Sequence, residues 1–282
     1  MPSLTLLGQS FLSGLFIGGL YGLLGLGLSL TWGLLRQINL SHFAIAFFGA
    51  YTTYQLATTF KINPFLTLLV IVPCFFVFGV ACQIAFTRFG VNEFTSLLVT
   101  FGLTVVVESL IQWIWTADFR RLEFQATTSF RLGTLFVPIA ELTMFLVAIG
   151  LSLLTWAWLR FTYVGKAIRA SAEDPDIAAA FGINHRRLAP VFAGVSAAYA
   201  GVAGAFVAVI YTLAPAQIYA WMGVVFAVVI LGGLGNPLGP LLAGIGIGVS
   251  EAITMALTAP TWAPLVSFAL LILVLLLRPD RI

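Results

Sequence analysis

Two glutamates stand inside otherwise apolar stretches of this 282-residue chain: Glu108, with Gln112 one helical turn later, and Glu251, with Ser250 and Thr254 beside it. A carboxylate at bilayer depth is expensive, so each must face a partner, a cavity or water, and each reads as a station on a solute path or as a hydrogen bond between helices. Two further polar spots interrupt the apolar pattern. Asn39, Ser41 and His42 follow the first apolar stretch, where Asn and Ser are favoured helix caps and His42 adds a titratable ring. The run Gly232-Gly233-Leu234-Gly235-Asn236-Pro237-Leu238-Gly239 breaks an apolar helix. Unwound backbone at membrane depth is tolerated only where it is buried or lines a cavity, so Gly233, Gly235 and Asn236 read either as a gate or as a turn at a helix end.

The remaining chemistry is defined by what is missing. Gly165-Lys166 is followed by Ala167 and preceded by Arg160 where a phosphate-binding loop needs Gly, so the chain has no Walker A loop. Each Gly-x-Gly pair lacks the third glycine of a dinucleotide fingerprint. His42 and His185 are far apart with no H-E-x-x-H pattern, and the proposed spans hold no Asp for an aspartyl dyad. Cys74 and Cys82 lie eight residues apart in one apolar run, roughly 12 Å along a helix and beyond disulfide reach. These residues point to a non-catalytic chain that carries no cofactor or metal of its own.

The elements that must position these residues are membrane helices. The chain is 61% hydrophobic and only 8% charged, against roughly 25% in an ordinary globular domain, and its mean hydropathy is +1.08. That excludes a soluble protein and implies a single transmembrane domain over 1–282. Apolar runs at 8–34, 42–60, 65–87, 94–117, 139–159, 189–211, 238–257 and 262–277 are long enough to cross ~30 Å of hydrocarbon. The run 221–234 falls short of the ~17 residues usually needed, which gives eight spans or nine in an all-α polytopic fold. The first run is too long and wrongly flanked for a cleaved signal peptide.

With nine spans, one side holds Arg36, Arg88, Arg160, Lys166, Arg169, Arg186, Arg187, Arg278 and Arg281, and the other Lys61, Arg120, Arg121 and Arg131. The positive-inside rule puts the richer side in the cytoplasm, the N-terminus outside and the C-terminus inside. The small basic surplus acts through its placement across the bilayer and offers no nucleic-acid surface. Small residues recur every four positions at Ser10, Gly14, Gly18, Gly22, at Ala193, Ala197, Gly201, Ala205, and at Gly244, Gly248, Ala252, Ala256. Such stripes let membrane helices approach closely and imply a compact bundle. Trp113, Trp115, Trp221 and Trp262 fall near outer ends and fit interface belts.

The longest polar stretch, 161–189, faces the cytoplasm in this arrangement. Its centre predicts a short helix: Asp174 as N-cap, Pro175 at the first helical position, Asp176 complementing the dipole and Gly182 as the stop. Ala178, Ala179, Ala180 and Phe181 then present a small apolar face that reads as a docking surface for a soluble partner, the alternative being a plain amphipathic connector on the headgroups.

At these residues the chain resembles the inner-membrane permeases of the branched-chain amino acid ABC import family. The resemblance rests on Gly165, Ala167, Arg169, Ala170, Ala178, Gly182 and Ile183 in the cytoplasmic stretch, on Asn39-Leu40-Ser41-His42, and on the Gly232–Gly239 loop. It covers most of the chain, with one departure: Phe43 stands where the family usually has Gly after the histidine. It implies a type II-like importer permease of a bacterial inner membrane. It also implies a second homologous permease, two ATPases that bind ATP and Mg, and a periplasmic solute-binding protein. The stretch 161–189 then becomes a coupling-helix loop with Glu173, Asp174, Asp176, Ala178, Phe181 and Gly182 at the ATPase contact. The path candidates are Asn39, Ser41, His42, Glu108, Gln112, Gly233, Gly235, Asn236 and Glu251. Branched-chain or similar small amino acids are the implied cargo, urea or another small polar solute the nearest alternative, and a motor-independent carrier or channel the reading from a different class.

Overall fold

The computed structural model describes residues 4–123 and 129–277. Arg278 and Arg281, used in the charge count, lie outside them. Within these residues nine apolar helices form the bundle: α1 (Leu4–Leu35), α2 (Ser41–Phe60), α3 (Leu68–Arg88), α4 (Glu93–Trp115), α5 (Ile139–Phe161), α8 (His185–Ile210), α9 (Gln217–Gly232), α10 (Gly239–Leu257) and α11 (Ala263–Leu277). Two short helices, α6 (Tyr163–Glu173) and α7 (Pro175–Ala180), sit together between α5 and α8. Among the described residues, six helices are long and apolar enough to cross a membrane: α1, α3 with the 3-10 turn before it, α4, α5, α8 and α10. α9 and α11 are shorter, and the twenty-residue α2 carries several Thr and Tyr.

The small-residue stripes decide which helices touch. A Cβ on Gly18 would meet the Gly244 carbonyl oxygen at 2.5 Å, and one on Gly14 would meet that of Gly248 at 2.7 Å. The stripes of α1 and α10 therefore face each other with no room for a methyl group, so packing here is backbone on backbone. The α8 stripe does the same against α3, where a Cβ on Gly79 would meet the Ala193 carbonyl at 2.5 Å. α1 and α8, the helices buried along most of their length, form the axis around which α2, α3, α5, α9 and α10 pack. α4 and α5 are apolar on nearly all sides and bury only a narrow stripe, as helices facing lipid do.

The sequence reading did not anticipate a small sheet. In the loop after α4, β1 (Ser129–Leu132) and β2 (Leu135–Pro138) form an antiparallel hairpin in the register Phe130 to Val137 and Arg131 to Phe136. Gly133, at φ +64°, makes the turn. The Gln9 side chain ties the hairpin to α1: its Nε2 donates to the Phe136 carbonyl at 2.9 Å and its Oε1 accepts from the Phe136 amide at 3.0 Å. Strands of four residues without strict alternation carry too little periodic signal to be read from sequence.

Candidate functional site

The chain alternates direction, so the ends of α1, α3, α5 and α9 meet the beginnings of α2, α4, α8 and α10 at one end of the bundle. α6 and α7 lie there. Thr162 caps α6 by accepting from the Gly165 amide at 3.1 Å. Gly165 is required because a Cβ there would meet the Trp158 carbonyl at 2.5 Å. Asp174 caps α7, one carboxylate oxygen accepting from the amides of Asp176 and Ile177 at 3.0 Å each, with Pro175 at the first helical position. Gly182, at φ +82°, stops it. The predicted capping and stop therefore form. α6 itself was missed, although the Thr162 cap is a readable signal.

The exposed face of α7 is not the one the alanine run suggests. Ala178 is 4% exposed and faces inward, so it belongs to the frame of the loop. Ile177 and Phe181 are the exposed apolar side chains, Phe181 at 83%, with Ala179 and Ala180 exposed between them. A six-residue helix rolled by one position exchanges which alanine is hidden, and composition cannot set that roll. Glu173 and Asp176 are exposed at either side of the cap. The unit is fixed to the bundle by Arg36, whose guanidinium donates to the Ala172 carbonyl at 2.9 Å, and by Ser171, whose hydroxyl lies 2.8 Å from His185 Nδ1.

The Gly232–Gly239 run lies at this same end, as a turn between α9 and α10. The Gly235 amide donates to the Ser29 hydroxyl at 3.1 Å, and the Asn236 side chain accepts from the Leu238 amide at 3.1 Å. A Cβ on Gly33 would collide with Gly235 backbone. The loop is thus pinned to α1, and among the described residues nothing lies within 4 Å of where a Cβ on Gly233, at φ +86°, would stand. Gly235, Asn236 and Pro237 share an open cavity of about 390 Å³ with Arg160 and Arg169. They sit beside the α6–α7 unit, at the end of the bundle rather than its middle.

Asn39 and Ser41 do not cap α2 from their side chains; the Ser41 hydroxyl donates to Asn39 Oδ1 at 2.6 Å instead. Thr100 of α4 holds the turn, accepting from the Leu40 amide at 3.0 Å and donating to the Ile38 carbonyl at 3.1 Å. His42 is fully buried, with Nε2 3.0 Å from the Leu24 carbonyl. A Cβ on Gly27 would run into its ring. Phe43, at the position of the departure from the family pattern, is 1% exposed and packs on Phe226. These contacts describe a joint between α1, α2 and α4.

The two glutamates lie toward the opposite end. Glu108 is seven residues, about 10 Å, from the end of α4. Gln112 Nε2 donates to its Oε1 at 3.2 Å, and the Tyr219 hydroxyl, from the first turn of α9, donates to its Oε2 at 2.6 Å. Glu108 is partly exposed, Gln112 and Tyr219 exposed. Glu251 is only 4% exposed. Its neighbours Ser250 and Thr254 bond back to carbonyls of their own helix. Tyr21 of α1 donates to Glu251 at 3.0 Å, and Ser267 of α11 donates to its other oxygen. Tyr219, Tyr21 and Ser267 could not be paired with the glutamates from sequence, because each comes from another helix. The tryptophans also divide: Trp113 and Trp262 are exposed, whereas Trp115 is buried against Tyr51 and Trp221 packs between Tyr21 and Tyr211.

The predicted residues therefore form three groups. One is the α6–α7 unit with the Gly232–Gly239 turn, another is the His42 joint, and the third is a pair of separate carboxylates in the far half. Among the described residues no three His, Cys, Asp or Glu side chains converge on a point.

Comparison with known proteins agrees over nearly the whole length. The family model described as branched-chain amino acid transport system / permease component matches residues 10–275. The high-affinity branched-chain amino acid transport system permease protein LivH of Escherichia coli K12 is 25% identical over 300 residues, covering 97% of this chain and 94% of the relative. BraD of Pseudomonas aeruginosa, of the same description, is 25% identical and covers 100% of this chain and 97% of its own length. A probable branched-chain amino acid transport permease protein LivH of Methanocaldococcus jannaschii is 29% identical over 246 residues, 82% of this chain and 76% of the relative. No solved structure matches.

Proposed function

The chain belongs to the family of branched-chain amino acid transport system permease components, and from that premise we propose that it is the membrane-spanning subunit of an ATP-driven importer for branched-chain or related small amino acids. It works with a second, homologous permease, two ATPases that bind ATP and Mg, and a periplasmic binding protein. The chain itself is non-catalytic and holds no cofactor. Its nine apolar helices act as spans of one type II-like permease domain in the bacterial inner membrane, with the N-terminus outside and the C-terminus in the cytoplasm.

The observation that carries this reading is the α6–α7 unit. A capped helix between two spans exposes Ile177 and Phe181 to water, and an exposed apolar patch on a rigidly held segment marks a protein contact. The tie from Arg36 to Ala172 links that contact to α1. A push on α7 by an ATPase closing on ATP would then reach the axis of the bundle and rock the spans between inward and outward states. Glu173, Asp174, Asp176, Ala178 and Gly182 shape this unit, and Ile177 joins Phe181 as the contact itself. On the solute path, Glu108 and Gln112 are the strongest stations. Asn39, Ser41, His42, Gly233, Gly235, Asn236 and Glu251 serve instead as joints that hold the moving helices.

The test is affinity purification of the intact complex from native membranes. Wild-type protein should bring down two ATPases and a second permease, and Phe181→Arg should lose the ATPases while keeping the permease. Absence of any ATPase from the wild-type preparation, or its undiminished recovery with Phe181→Arg, would overturn the reading in favour of a self-sufficient carrier or channel.

A further inference from the structure

The open cavity of about 390 Å³ beside the α6–α7 unit is lined by Trp156, Leu159 and Arg160 of α5, Arg169 of α6 and the Gly235-Asn236-Pro237 turn. Two guanidiniums therefore share one hollow. Among the described residues neither makes an ion pair or a hydrogen bond, and even Glu173, one turn on from Arg169, does not pair with it. Arg160 is nonetheless held in place, its guanidinium 5.1 Å from the centre of the Trp156 ring and 5.9 Å from that of Phe161. Stacking uses the faces of a guanidinium and leaves its N–H edge available to an oxyanion. A cleft lined by charges of one sign concentrates counter-ions, here anions.

The helix that leads to the cavity identifies the anion. Leu153, Trp156 and Arg160 lie within about 60° of arc on α5, and Leu153 and its neighbour Leu154 are exposed. Along this face the order is bare leucine, then tryptophan, then an arginine about 10 Å beyond the leucine. Hydrocarbon, interface and headgroup phosphates follow one another in the same order across a leaflet. α6 continues the pattern: Gly165, Ile168 and Ser171 face the bundle, while exposed Tyr163 carries Lys166 over its ring at 6.0 Å and Arg169 is exposed on the same helix. Aromatic and basic side chains on the outer side of a short helix suit the headgroup layer. We propose that the cavity binds the phosphate headgroup of an anionic phospholipid, with Arg160 and Arg169 on the phosphate oxygens and Trp156 beside the glycerol. Basic pockets between membrane helices hold such headgroups. The lipid fills the hollow between α5, α6 and the turn before α10, and so braces the α6–α7 unit against the bundle. This site does not depend on the importer reading.

The experiment takes the full-length protein with whatever subunits accompany it, strips loosely held lipid, and titrates it with phosphatidylglycerol or phosphatidylcholine while native mass spectrometry counts retained lipid. Phosphatidylglycerol should be retained at about tenfold lower concentration than phosphatidylcholine, and Arg160→Gln with Arg169→Gln should abolish that preference. Arg169→Gln alone should weaken retention about threefold. Both arginines are exposed, so the thermal midpoint of these variants without added lipid should match wild type. Arg88→Gln, at the exposed end of α3, should leave retention unchanged. Inorganic phosphate in large excess separates a lipid from a free anion and should not displace phosphatidylglycerol. Equal retention of the two lipids, an equal loss with Arg88→Gln, or displacement by inorganic phosphate would each overturn the proposal. So would a double variant that keeps phosphatidylglycerol but sheds its accompanying subunits, which would assign the two arginines to a protein contact.

Discussion

Glu108 and Glu251 are alike in sequence and unlike in the fold. Each sits in an apolar helix about 10 Å from that helix's end, and each accepts from a tyrosine on another helix. Glu251 is enclosed, its oxygens taken by Tyr21 of α1 and Ser267 of α11. It joins three helices and has no face left for a solute. Glu108 is held by Gln112 and Tyr219 yet stays open at the side of the bundle. A buried carboxylate with complete partners acts as structure, because removing it strands the donors around it. A carboxylate that keeps an open face is left free to meet whatever passes or docks there.

The contrast breaks most readily at Glu251. Glu251→Ala leaves two hydroxyls unpaired inside the bundle and should cost about 2–4 kcal/mol, seen as a lower thermal midpoint of the detergent-solubilised protein. Glu251→Gln should recover most of the loss. Next, Glu108→Gln should lower ATP-driven uptake about tenfold, equivalent to ~1.4 kcal/mol on the barrier, while the thermal midpoint stays near wild type. Tyr21→Phe removes one donor from the enclosed cluster and should cost about 1 kcal/mol of stability with little change in uptake. Smallest is Tyr219→Phe, which frees one Glu108 oxygen; uptake should fall about twofold, ~0.4 kcal/mol, with stability unchanged. If the stability loss followed the Glu108 cluster and the uptake loss followed Glu251, the two roles would have to be exchanged.

Much of this frame is legible in the residues. The apolar runs lie within a few residues of the helices, because membrane helices satisfy their backbones internally and need only length and hydrophobicity. The stripes at Gly14, Gly18, Gly244 and Gly248 mark close contacts, since little besides a small side chain fits between such backbones. Asp174, Pro175 and Gly182 delimit α7 because caps are local chemistry. What the sequence withholds is rotation and partnership. Nothing near Ala178 says that it turns inward while Ile177 turns out. Nothing near Asn39 says that Thr100, sixty residues on from Leu40, holds the turn in place of Asn39 and Ser41. The Gly232–Gly239 run reads as gate or turn until α1 is seen packed on it through Gly33. The standing of each glutamate likewise depends on helices more than a hundred residues away in one case and some two hundred and thirty in the other.

The most direct measurement is uptake of radiolabelled leucine into proteoliposomes holding this chain with its co-purified permease, ATPases and binding protein, comparing wild type with Glu108→Gln at matched thermal midpoint. Wild type should accumulate leucine only when ATP is present on the ATPase side, and Glu108→Gln should do so about tenfold more slowly with its ATPases still bound. Failure of the wild-type complex to take up any branched-chain amino acid, or uptake by Glu108→Gln at the wild-type rate, would contradict the path along the open edge of α4.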